Sequence, residues 1–132
     1  MSFKQILVPY DASSYANHAL ATLTNATITL VNVISYHKAM AKIIQPYKGK
    51  LITHVKHFMN DAKKQALRER VLLDQKILYG TPSEEILKLT KKSRFDLIVM
   101  GKRGSTKITG PSLGSVSNAA VQNSKVPVMI VM

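Results

Sequence analysis

Four apolar residues in a row, Leu97-Ile98-Val99-Met100, end abruptly at Gly101. A block that short and that uniformly apolar is what a strand buried on both faces requires, and such strands belong to parallel sheets crossed over by helices. Other blocks repeat the theme. Ile6, Leu7 and Val8 lead into Pro9 in a strand over residues 3–9, and residues 27–33 are rich in β-branched side chains (Thr27, Ile28, Thr29, Val31, Val33). Residues 71–79, stopped by Gly80, and 128–132, entered through Pro127, complete a set of five strands.

Helical patterns fill the intervals. After Ser13 or Ser14, either of which can cap, Ala16, Ala19, Leu20 and Leu23 recur at helical spacing up to Asn25. From Leu51 a longer helix buries Ile52, Val55, Phe58 or Met59, Ala62 and Ala66. Thr81-Pro82-Ser83-Glu84 predicts a third helix start, with a capping threonine, proline in the first position and glutamate closing a capping box. Residues 115–123 form the fourth, with Val116, Ala119 and Ala120 on one face. Residues 34–50, polar and basic with Pro46 and Gly49, read as a mobile connection or a short broken helix. Strict alternation of strand and helix predicts an α/β fold, a single doubly wound five-stranded parallel sheet with four helices, and 132 residues fill one domain, 1–132.

Composition narrows the chemistry. Without cysteine there is no disulfide, thiolate metal site or cysteine nucleophile. No apolar run approaches the roughly 20 residues of a membrane span, and Met1-Ser2-Phe3-Lys4 leads straight into a strand, so a cytoplasmic protein that does not enter the membrane is expected. Nineteen Lys and Arg against seven Asp and Glu give +12, which attracts anions of every kind. Ten of the basic residues lie between Lys38 and Lys76; they read first as a solvated helix face and second as a polyanion surface.

The most specific chemistry follows the block that ends at Gly101. Gly104 lies three residues on, nine residues intervene, and Gly114-Ser115-Val116 opens the last helix. Strand, glycine loop and helix N-terminus together form a geometry that holds phosphate, because glycine lets the backbone approach an anion and the first helical N–H groups have no intrahelical acceptor. Ser115 could cap that helix or point its hydroxyl at an oxyanion. The spacing matches neither a Walker A loop nor the dinucleotide G-x-G-x-x-G.

Glycine, two residues, glycine, nine residues, glycine and then Ser or Thr is a spacing that resembles the universal stress protein family, and Gly101, Gly104, Gly114 and Ser115 fill its four places. The likeness extends from Ile6-Leu7-Val8-Pro9-x-Asp11 through Asp96-Leu97-Ile98-Val99-Met100-Gly101 to Pro127-Val128. It implies a strand order 3-2-1-4-5, which sequence alone does not fix, and bound ATP (or ADP or AMP), with Mg²⁺ held through the phosphates. By that resemblance Asp11 would bond the ribose, Pro9 and Val33 would frame the adenine, and Met100 and Gly101 would border the ribose. Gly104, Gly114, Ser115 and Val116 would face the phosphates. The resemblance also implies a homodimer through the C-terminal strand, Val126 to Met132, whose apolar edge needs cover. Ala12, where the family often has glycine, and Gly110 and Pro111 within the loop are departures.

Other readings are weaker. His54 and His57 lie one turn apart but lack a third ligand at metal-binding spacing, and the five tyrosines form no stacking platform. Lys102, Arg103 and Lys107 serve equally as phosphate clamps and as solvated charges. Adenylating relatives of this fold class carry a Ser-Gly-Gly-x-Asp-Ser loop after the first strand, where this chain has Pro9-Tyr10-Asp11-Ala12-Ser13-Ser14. The expectation is therefore a nucleotide-binding regulatory stress protein with at most slow hydrolysis, the alternatives being a nonspecific nucleic-acid binder or an adenylating or ATP-hydrolysing enzyme.

Overall fold

The computed structural model describes residues 3–11, 26–35, 41–68, 72–102 and 113–131. Five parallel strands, β1 (Gln5–Pro9), β2 (Thr27–Ser35), β3 (Leu72–Gly80), β4 (Leu97–Gly101) and β5 (Val128–Val131), form one sheet in the order β3-β2-β1-β4-β5. That is the 3-2-1-4-5 order implied by the resemblance. The described helices are α1 (Lys48–Arg68), α2 (Pro82–Lys92) and α3 (Ser115–Asn123). The helix expected between β1 and β2 lies outside the described residues.

Alternation along each strand divides the core in two. Ile6, Val8, Ile28, Leu30, Leu97 and Val99 pack with Val55, Met59 and Ala62 of α1. On the opposite face, Leu7, Val31, Ile98 and Met100 meet Ile86 and Leu89 of α2 and Ala120 of α3. All five residues of β4 are buried, as a central parallel strand demands. Burying each large side chain there contributes roughly 1.5–3 kcal/mol, set against the entropy of ordering the chain.

Some details differ from the sequence reading. The long helix begins at Lys48 rather than Leu51, while the segment before it follows the second of its two readings, a short broken helix, as one turn at Ala41–Ile44 and a tighter turn at Gln45–Tyr47. Pro46 lacks an N–H and prevents a regular α-helix from running through. The first strand starts at Gln5, because the N–H groups of Lys4 and Gln5 donate to the Asp96 carboxylate at 3.0 and 2.9 Å. Thr81 does cap α2 with Pro82 following, but its side chain makes no capping hydrogen bond, so the capping box is absent. Gly80, at φ +139°, turns the chain there, and Glu85 folds against it closely enough that a Cβ on Gly80 would come within 2.9 Å of its side chain.

Candidate functional site

In a doubly wound sheet the crevice opens beyond the carboxyl ends of the strands at which the order reverses, here β1 and β4. The β1 rim is tied to β2. Pro9 lies opposite Val31, the Tyr10 N–H donates to the Val31 carbonyl at 2.8 Å, and the Asn32 Nδ2 donates to the Tyr10 carbonyl at 2.9 Å. These two bonds fix the direction in which the chain leaves the sheet and carries half-buried Asp11 to the rim. Val33 stands two residues beyond Val31, about 7 Å farther along the strand, so β2 overhangs the end of β1.

Below Asp11 sits Tyr10, buried and tilted against Phe58 of α1 with ring centres 5.8 Å apart. Burial pushes its phenol above the ordinary tyrosine range, and the negative charges of Asp11 and Asp61 push it further. Tyr10 is therefore a neutral floor for the rim. Neither Tyr10 nor Asn32 carries a sequence signal of its role; each is visible only once the register of β1 on β2 is known.

The β4 rim is built differently. Lys102 donates its N–H to the Val131 carbonyl at 2.9 Å, continuing the ladder to β5 past Gly101. The Gly114 N–H then donates to the Lys102 carbonyl at 2.9 Å, and the buried Ser117 hydroxyl donates to the Gly101 carbonyl at 2.8 Å. The two ends of the glycine loop are thus fastened to each other, which sets the N-terminus of α3 directly above the end of β4. Residues 103–112, with Gly104, Arg103 and Lys107, lie outside the described residues.

The cap of α3 is Gly114, not Ser115. Gly114 is extended at φ −64° and ψ 164°, its carbonyl accepts from the Asn118 N–H at 2.9 Å, and Ser115 is the first helical residue, exposed to solvent. No side chain caps the turn. Gly114 spends its N–H on Lys102, so the backbone donors this rim presents to an anion are the first-turn amides that follow it, those of Ser115 and Val116 among them. Gly114 itself is buried.

Met100 joins Val33 on the α2 and α3 face of the sheet. Of the sequence-predicted residues, Pro9, Asp11, Val33, Met100, Gly101, Gly114, Ser115 and Val116 thus gather at the carboxyl ends of β1, β2 and β4 and the start of α3. The two described histidines take other partners, His54 edge-on to Phe58 and His57 at 3.8 Å from Asp61 in solvent. Among the described residues no three His, Cys, Asp or Glu side chains cluster to hold a metal, and no helix is long and apolar enough to cross a membrane.

Residues 2–132 match the model of the Universal stress protein family. Universal stress protein MJ0577 of Methanocaldococcus jannaschii is 28% identical, with 98% of this chain and 94% of that protein covered. Its solved structure superimposes with a TM-score of 0.88 at 30% identity, over 99% of this chain and 96% of the other. A universal stress protein of Thermus aquaticus is 30% identical over 98% of each chain. The fold is shared with a universal stress protein solved in complex with cAMP (TM-score 0.71, 20% identity, 100% and 98% covered). It is shared also with a family protein of Arabidopsis thaliana solved with AMP bound (0.69, 19%, 97% and 90%).

Proposed function

We propose, from the premise that this chain belongs to the universal stress protein family and to its part in the stress response, that it is a regulatory protein switched by an adenine nucleotide. The observation that carries this reading is the uncapped first turn of α3, held above the end of β4 and across the switch point from Asp11. Amide donors on one rim suit phosphates, and a carboxylate on the other suits the hydroxyls of a ribose. The cAMP and AMP held by structural neighbours support the nucleotide class; ATP, or in its place ADP or AMP, is the ligand proposed here.

In this reading Val33 and Pro9 frame the adenine, Met100 and Gly101 border the ribose, and Ser115 and Val116 meet the phosphates together with Gly104. With no acidic or histidine cluster among the described residues, Mg²⁺ would come bound to the phosphates rather than to the protein. Among the described residues of the crevice Asp11 is the candidate base, and in this reading hydrolysis is at most slow and occupancy is the output. Nucleotide would order the loop over 103–112 and, through α3 and β5, a homodimer surface at the sheet edge, where Met129 and Val121 are exposed. The proposed compartment is the cytoplasm.

Isothermal titration with ATP, ADP and AMP tests the proposal. Saturable heat from one site per chain supports it, and no heat at millimolar nucleotide overturns it. Light scattering tests the dimer, which a monomer at micromolar concentration would exclude.

A further inference from the structure

The first turns of α1 break the electrostatic rule that α2 obeys. α2 has Glu84 and Glu85 in its first turn and Lys91 and Lys92 in its last, the arrangement a helix dipole favours. α1 instead opens with Lys48 and Lys50 and no acidic residue. The chain has no Asp or Glu at all between Asp11 and Asp61. Cations are thus gathered at the positive end of a dipole, with nothing nearby in sequence to neutralise them.

Large apolar side chains stand among these lysines. Ile43 is 64% exposed, Tyr47 59% and Leu51 39%. They recur at every fourth residue through the helical turns at 41–47 and into the first turn of α1, so exposed apolar surface is interleaved with the lysines. Lys42, Lys48 and Lys50 adjoin them, and the Lys48 ammonium lies 4.8 Å from the centre of the Tyr79 ring, itself 37% exposed at the end of β3.

We infer that this corner, Lys42 to Leu51 with Tyr79, docks on an anionic lipid bilayer. Anionic headgroups would neutralise the lysines and the helix N-terminus together, while Ile43 and Leu51 enter the acyl boundary and Tyr47 sits at headgroup depth. A nucleic acid satisfies only the charge. It offers no medium for exposed Ile43 and Leu51, and the described corner carries lysines without the arginines that grip phosphate bidentately.

The test is co-sedimentation of the full chain with vesicles of phosphatidylcholine, with and without about one third phosphatidylserine. Binding is expected to the serine-containing vesicles alone. Ile43→Ser with Leu51→Ser should weaken it about tenfold while the protein still unfolds cooperatively, since Ile43 is largely exposed and Leu51 partly so. Lys48→Gln and Lys50→Gln should each weaken it about fivefold, and Lys91→Gln with Lys92→Gln, on α2, should change it by less than twofold. Failure to sediment with anionic vesicles overturns the inference. So does full retention of binding by the Ile43→Ser, Leu51→Ser protein, which would reduce the corner to a general polyanion surface of the kind a DNA duplex also binds. Neither outcome bears on the nucleotide crevice.

Discussion

The two rims of the central crevice are held by opposite means. On the β1 rim a side chain, Asn32, reaches back to the Tyr10 carbonyl, and a buried aromatic ring supports the turn from below. On the β4 rim the backbone does most of the holding, with Gly114 bonded to Lys102 and Lys102 to Val131, and Ser117 adding one buried hydroxyl. The difference follows from what each rim would present to a ligand. A carboxylate must be aimed, which takes a braced side chain; amides are aimed by the helix that carries them, which needs only its first turn placed and left uncapped.

This contrast can be broken in order of expected effect. Asp11→Ala should lower adenine-nucleotide affinity about thirtyfold by titration calorimetry, the worth of hydrogen bonds to a charged group; unchanged affinity would remove the β1 rim from the site. Ser117→Val leaves the buried Gly101 carbonyl without its donor and should cost about 2 kcal/mol in urea unfolding, with the nucleotide affinity falling as α3 loosens. Asn32→Ala should cost about 1 kcal/mol and weaken nucleotide binding severalfold, because the Tyr10 carbonyl loses the Asn32 amide donor while the Tyr10 N–H keeps its bond to the Val31 carbonyl.

The smallest effect is one of pH, and it lies at the opposite end of the sheet. The Gln5 and Lys4 amides donating to Asp96, with smaller help from the Arg94 and Lys4 charges, hold its carboxyl below the ordinary carboxylate range. A lowered folded value means the bonds are fully stabilising above the unfolded value of about 3.9 and are lost as pH falls through the folded one. Asp96→Asn should therefore flatten part of the acid limb of the stability profile and leave the neutral region of nucleotide affinity unchanged. An acid limb identical to that of the unaltered protein would contradict the assignment.

The β4 rim was the legible one. Its glycines and the apolar block before them announce strand, loop and helix in the sequence, because glycine spacing and hydrophobic blocks are local signals. The capping detail was not, since whether Gly114 or Ser115 starts α3 depends on the Lys102 carbonyl reaching across the loop. The β1 rim was legible only at Pro9 and Asp11. Asn32 looks like any polar residue within an apolar strand until β2 is paired with β1, and Tyr10 looks like a scattered aromatic until α1 covers it. At 41–47 the sequence left two readings open, a mobile connection or a short broken helix, and the structure takes the second, because Pro46 breaks the period without abolishing the turns on either side of it.

The backbone itself offers the most direct test of the crevice. In amide-resolved NMR of the full chain titrated with Mg²⁺-ATP, the account predicts the largest shifts at Ser115 and Val116 on one rim and at Asp11 and Val33 on the other. Shifts confined to the lysine-rich surface of α1, with those four amides unmoved, would contradict it.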